Sequence, residues 1–237
     1  MAEPAPQDVL ITTRRSLHAL AEHVLAGARH AATGRIGLEV VAAGIATPPF
    51  PGPDGSTVVS IEGTNIVVRD DNGERRQPVT TIGDAAAFVG IEPGAPASVY
   101  PPTTAVEDDE PLGLDAPTAA SLMAWLTTVT EALERFVAEL EGEGVEAAPI
   151  TLWPEHFDVA TVAEEVNYGG SPGDDDLPRA YAYVGPHRPR RGAFWNERWG
   201  AARPAGETPT TDAVLTFFRD GRVRAQHDPV TEGDDDA

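Results

Sequence analysis

Thr57-Val58-Val59-Ser60-Ile61-Glu62-Gly63-Thr64-Asn65-Ile66-Val67-Val68-Arg69-Asp70-Asp71-Asn72-Gly73 holds two short runs of β-branched residues, each followed by residues that turn a chain. Residues 57–61 and 65–69 flank a turn at Glu62-Gly63-Thr64, and Asp71-Asn72-Gly73 announces the next. Upstream, Ile36, Leu38 and Val40 alternate with other residues, so the period of two extends across 35–81. This pattern predicts an antiparallel meander. Within it, residues 47–55 are rich in Pro and Gly and read as a loop, because proline donates no ladder hydrogen bond.

The flanks have helical spacing. Residues 8–32 place Val9, Leu17, Leu20, Val24 and Leu25 on one stripe broken at Thr33-Gly34, and that apolar face is expected to meet a sheet. Residues 94–111 hold four prolines and an Asp-Asp-Glu run, which marks 94–114 as the candidate internal boundary. The strongest helix follows. Asp115 caps it, Pro117 lies in its first turn, and Leu122, Trp125, Leu126, Val129, Leu133, Phe136, Val137 and Leu140 form its apolar stripe as far as Gly142. Residues 150–153, 159–168 and 179–184 read as strands, the last two joined by a Gly169-Gly170-Ser171-Pro172-Gly173 turn whose glycines take positive φ. A short helix over 210–218, Asp220-Gly221 and a last strand complete the pattern. The order predicts one α+β domain over 8–230, a largely antiparallel sheet covered by amphipathic helices, with two similar halves as an alternative that no residue-level repeat supports. Residues 1–7 are expected to be flexible, and the acidic residues 231–237 to be disordered.

Composition narrows the chemistry. Against 17 basic residues stand 38 acidic ones, a formal charge of -21 over 237 residues, so nucleic acid and anionic membrane surfaces are poor partners and cationic or neutral molecules better ones. No apolar run approaches the roughly 20 residues that span a bilayer, and the first seven residues lack the basic and apolar regions of a signal peptide, which predicts a cytoplasmic protein. Cysteine is absent, and with it disulfides, thiolate metal sites and thiol nucleophiles. Every basic residue other than histidine is arginine, so Schiff-base chemistry on a lysine and the phosphate-loop lysine are excluded as well.

The densest chemistry lies between residues 150 and 199, where aromatics alternate with Gly, Pro, His and carboxylates and where three of the four tryptophans fall. A cleft for a small polar ligand is expected in this C-terminal half, with Trp153, His156, Asp158, Tyr168, Tyr183, His187 and Trp195 as its candidate residues. Aromatics at alternating strand positions are equally the usual material of a core. An alternative is a metal-dependent enzyme. His156 and Asp158 share a face if their segment is extended, and with His187 or His227 they would offer a divalent metal three ligands. The same pair also suits a hydrogen bond that fixes an imidazole tautomer. A further alternative is an interaction module with an aromatic patch.

Other constellations are weaker. Gly169-Gly170-Ser171-Pro172-Gly173 matches the nucleophile elbow of hydrolases, but the N–H that would complete the oxyanion hole belongs to the residue after the serine, here Pro172. Asp174-Asp175-Asp176 lacks the glycine and terminal glutamate of a calcium loop and reads as a solvated turn. Arg188, Arg190, Arg191 and Arg198 suit an anion or neutralise that turn. His18, His23 and His30 are spaced by five and seven residues, which does not stack them on an α-helix, and they read as boundary histidines.

In four of these runs the chain resembles an uncharacterised actinobacterial protein family that carries Leu-Trp-Pro-Glu-His-Phe-Asp, Asn-Tyr-Gly with Ser-Pro-Gly-Asp, Tyr-x-Tyr-Val-Gly-Pro and Phe-Trp-Asn. Here these are residues 152–158, 167–169 with 171–174, 181–186 and 194–196. The resemblance covers about the last third of the chain, implies an actinobacterial cytosolic origin, and carries no mechanism.

Overall fold

The computed structural model describes residues 5–231, so most of the tail expected to be disordered lies outside the described residues. At the other end the helix already begins at Gln7. The chain is α+β and divides into two compact units. One comprises the residues up to Thr127 with Thr151–Asp158, and the other Thr128–Ile150 with the residues from Val159 onward. The division falls inside the long helix, not in the proline-rich connection at 94–114. Proline there interrupts regular structure without separating cores.

In the first unit, α1 (Gln7–Leu20), a π-helical turn (Ala21–Ala26) and α2 (Gly27–Thr33) form one continuous helix that stops at Gly34, whose φ of 71° only glycine adopts without strain. The meander follows as β1 (Glu39–Val41), β2 (Gly44–Ala46), β3 (Phe50–Gly52), β4 (Gly55–Glu62), β5 (Asn65–Asp70) and β6 (Gly73–Pro78). The sheet order is β1-β2-β4-β5-β6, with antiparallel pairing throughout. The two tight turns fall at Gly63-Thr64 and Asp71-Asn72. β3 corrects the expectation of a plain loop over 47–55: it pairs with β4 alone, and at such an edge the missing N–H of Pro51 breaks no ladder. The periodicity gave no sign of α3 (Ile82–Val89), which Thr81 caps by accepting the Asp84 N–H at 3.0 Å. Leu17, Leu20, Val24, Leu25, Ile45, Val59, Ile61, Ile66, Val68 and Ile82 are all buried. Strand β7 (Thr151–Trp153) joins this unit through reciprocal backbone bonds between Leu38 and Leu152, 2.8 and 2.9 Å.

Helix α4 (Ala116–Gly142) has the predicted stripe. Ala119, Leu122, Trp125, Leu126, Val129, Leu133, Phe136 and Leu140 are buried, while Val137 is half-buried at its margin. Asp115 caps it, accepting from the Thr118 N–H at 2.9 Å and hydroxyl at 2.5 Å.

The second unit contains β8 (Asp158–Ala163) from Val159 onward, β9 (Val166–Ser171), β10 (Tyr181–Pro186) and β11 (Ala201–Pro204) in the order β11-β10-β9-β8, all antiparallel. Two expectations are corrected here. Residues 159–168 are a hairpin, turned by Glu164 and Glu165 at φ of 51° and 59°. Placing two non-glycine residues in this region costs roughly 1–2 kcal/mol each, and no turn signal announces it. The Glu164 carboxylate is held in place by the Arg222 Nε at 2.6 Å. Gly169 and Gly170 lie within β9, and of the five residues read as a turn only Gly173 has positive φ, 107°. Close approach explains the two strand glycines. A Cβ on Gly169 would sit 2.7 Å from the Tyr183 ring, and one on Gly170 would sit 2.6 Å from a Val129 methyl.

A third correction concerns the C-terminus. α5 (Thr211–His227) runs straight through Asp220-Gly221, and no strand follows it among the described residues. Gly221 serves packing, since a Cβ there would meet Val184 at 2.6 Å. No helix among the described residues is long and apolar enough to cross a membrane.

Candidate functional site

The sequence candidates are divided between the two units. His156 and Asp158 fall in the first unit, and Tyr168, Tyr183, His187 and Trp195 in the second. The segment before Asp158 is a turn, not a strand: the Phe157 N–H donates to the Trp153 carbonyl at 2.8 Å, and Phe157 has φ of 50°. The condition for His156 and Asp158 to share a face is therefore not met. His156 is exposed and Asp158 buried. No group of three or more His, Asp or Glu side chains among the described residues is arranged to hold a metal ion.

In the second unit the aromatics are packed among themselves. Tyr168 is fully buried against Phe136 and Phe218, with ring centroids 4.6 and 6.0 Å away. Its hydroxyl has no hydrogen-bond partner among the described residues, and burial first, then Glu164, pushes its pKa up. Tyr168→Phe is accordingly expected to leave stability unchanged or raise it by about 1 kcal/mol, because it removes an unsatisfied buried group. A loss of more than that in urea unfolding would show that the hydroxyl has a role. Tyr183 meets Trp199 edge-on at 5.9 Å, and the Trp195 Nε1 donates to Asp228 at 3.0 Å. His187 is exposed. Asp174 spends its carboxylate on its own loop, accepting from the Asp176 and Leu177 N–H groups and from the Tyr181 hydroxyl. Ser171 ends β9 with its Oγ accepting the Gly173 N–H at 3.0 Å, and the next element is the strand β10, not a helix. No labelling of Ser171 by a fluorophosphonate probe is expected, and stoichiometric modification seen by mass spectrometry would overturn that.

In the first unit the structure gathers polar groups that the sequence does not connect. Glu22, fully buried in the π turn, accepts four hydrogen bonds from two successive threonines 81 and 82 residues away. The Thr103 and Thr104 N–H groups each donate at 2.8 Å, one to each carboxylate oxygen, and their hydroxyls donate at 3.2 and 2.5 Å. Four donors on one carboxylate compensate the cost of burying its charge. On the same helix, the His23 Nε2 contacts the Thr104 Oγ1 at 2.9 Å and carbonyl at 3.2 Å, and the His18 Nε2 lies 2.8 Å from the Pro154 carbonyl. A carbonyl only accepts, so each Nε2 carries a proton and donates it. The five-residue spacing of His18 and His23 fails to stack on an α-helix. The widened turn accommodates the extra residue and brings His18, Glu22 and His23 to the same segment.

The motif loop closes this cluster. Phe157 stacks on the His18 ring at 5.3 Å with 11° between planes, and the Thr103 hydroxyl also lies within 3.0 Å of the Glu155 carbonyl. A left-handed, fully buried phenylalanine is strained, and such strain persists where surroundings over-determine it. Two polar atoms remain. The Tyr100 hydroxyl and the Glu155 Oε2 are buried with no hydrogen-bond partner among the described residues. Burial, then the charges of Glu22 and Glu155, push the Tyr100 pKa up, so the phenol stays protonated. Sequence reading singled out the 151–158 run, for Trp153, His156 and Asp158, and missed Glu155 in it as well as Glu22, Tyr100, Thr103 and Thr104. Their only signal was an isolated acid on the apolar side of the first helix.

Burial holds the His18 pKa below its ordinary 6.5, against Glu22 and the Pro154 carbonyl, which raise it, and with Arg14 and His156, which lower it. The folded state then binds fewer protons than the unfolded state below 6.5, so the stability from neutral His18 is complete above that pH and is lost as pH falls through the depressed value. The urea midpoint is expected to fall in this window, and less so in His18→Gln. Coincident curves would overturn this. Glu62, Glu139 and Glu164, held below the ordinary 4.5 mainly by hydrogen bonds from Arg69, Arg219 and Arg222, act in a separate window lower down.

No family model matches the chain, and no curated protein or solved structure matches it.

Proposed function

We propose that this protein binds a small polar molecule at the cluster of Glu22, Tyr100 and Glu155 in the first unit. The ligand class is the one the composition favours, while the site moves from the aromatic runs of the C-terminal half to a helix and a connection near the N-terminus, keeping only the Pro154-Glu155-His156-Phe157 turn. One observation carries the reading: two buried polar atoms, the Tyr100 hydroxyl and the Glu155 Oε2, lack partners within a network whose other members are satisfied. Native proteins rarely leave such groups unpaired, and each exception calls for an explanation. A bound molecule that donates a hydrogen bond to both oxygens provides one. Around these atoms stand features that hold a site rigid: the π turn, the left-handed Phe157 and the cradled Glu22.

The test is a thermal-shift series on the full chain with small amines, amides, polyols and carboxylic acids at millimolar concentration. A ligand that binds only the native state stabilises it by mass action, about 2.7 kcal/mol at a hundredfold excess over Kd. At least one class is expected to raise the melting temperature of the wild type, and Tyr100→Phe to lose that rise while melting normally by itself. No shift with any class, together with a Tyr100→Phe variant more stable than the wild type, would make the unpaired atoms a structural cost and remove the proposal.

A further inference from the structure

Resting on that reading, we infer that the ligand carries a cationic nitrogen, an ammonium or guanidinium group, seated between the Glu155 carboxylate and the Tyr100 hydroxyl. The reason lies in which hydrogen-bonding capacity the cluster has already used. The Thr103 and Thr104 N–H groups and the Thr104 hydroxyl are spent on Glu22, and the Thr103 hydroxyl lies between Glu22 and the Glu155 carbonyl. The His18 Nε2–H is spent on the Pro154 carbonyl, and the His23 Nε2–H on Thr104. Left open are the Glu155 Oε2, which accepts, and the Tyr100 hydroxyl, which accepts and donates one proton.

Three ligand chemistries meet this set differently. A carboxylate or phosphate would find one donor and two carboxylates, Glu22 and Glu155, whose like charge opposes it. A neutral alcohol would satisfy the hydrogen bonds but bring no charge to the Glu155 Oε2. An ammonium or guanidinium offers several donors, neutralises Glu155 and makes the stronger charge-assisted bond. The local field at the phenol agrees: both neighbours that act on Tyr100 are acids. The overall charge of -21 favours the approach of a cation.

Three probes of equal length separate the cases: n-butylammonium, n-butanol and butyrate, titrated into the full-length protein and followed by backbone amide NMR and thermal shift. Butylammonium alone is expected to perturb the Thr103 and Thr104 amides and raise the melting temperature. Glu155→Gln, which keeps the shape and removes the charge, is expected to weaken its binding at least tenfold, and Tyr100→Phe several-fold. Tyr100→Phe removes an unpaired hydroxyl and Glu155→Gln removes a charge from a buried oxygen, so their unliganded melting temperatures should match or exceed that of the wild type. If either fails to fold, the other decides. Binding of butanol or butyrate in preference to butylammonium, lost in Tyr100→Phe, would overturn the cationic ligand and leave the binding site standing. No response to any of the three would overturn both.

Discussion

Glu22→Ala is expected to destabilise the protein by roughly 2–4 kcal/mol, because it removes a fully buried carboxylate that accepts from two part-buried backbone N–H groups at once, and an unpaired group costs about 1–3 kcal/mol where water cannot reach it. The carboxylate is fully buried, and both of its oxygens take a backbone N–H at 2.8 Å and a threonine hydroxyl. The hydroxyls can rotate to other acceptors; the two N–H groups cannot. Glu22→Gln should be no milder than partial rescue, since its amide presents a donor to one of the same N–H groups. Urea unfolding measures the loss, and hydrogen exchange locates it, with the Thr103 and Thr104 amides losing protection before the β4–β5 pairing. A Glu22→Ala variant within 1 kcal/mol of the wild type would mean that the connection is not held by this residue, and the proposed site would lose its frame with it.

The second large effect is expected at Phe136. Its ring is buried against Tyr168 at 4.6 Å and Phe218 at 5.9 Å, three aromatics from a helix, a strand and another helix forming one cluster. Phe136→Ala removes a large buried side chain from the centre of that cluster, and the cost is about 3–5 kcal/mol from lost transfer energy and the cavity left behind. Phe136→Leu, which refills much of the volume, should recover more than half. Equal midpoints for wild type and Phe136→Ala in guanidinium unfolding would show that the cluster is loosely packed. Such a result would also reopen Tyr168 to a ligand, which full burial now argues against.

Long periodic segments were legible before any coordinates. Residues 57–73 announced the hairpins because β-branched runs bracketed by glycine and Asx residues have few other solutions, although the first turn is tighter than the pattern suggests and pairs Glu62 with Asn65, and α4 was legible because its stripe repeats over about six turns. Misreadings arose where a residue's usual meaning was reversed by a neighbour distant in sequence. Gly169 and Gly170 are strand residues because Tyr183 and Val129 leave no room for a Cβ, and Gly221 sits inside α5 because Val184 does the same. Glu164 and Glu165 turn a hairpin with the wrong residue type for it, with Arg222 on Glu164.

The candidate site divides along the same line. The sequence by itself determined which chemistries are absent, since no thiol or lysine amine exists to perform them, and it determined that the Pro154-Glu155-His156-Phe157 stretch is dense in functional groups. It set the periodicities from which the sheet and α4 follow, because burial of alternating or helically spaced side chains is a local requirement. Only the tertiary structure decided that Glu155 lies near the 100–104 connection, and that Glu22 lies beside both His18 and His23, which are five residues apart and would not stack on an α-helix. Such a meeting depends on a widened helical turn and on hydrogen bonds spanning 81 residues, and neither leaves a periodic trace in a single chain.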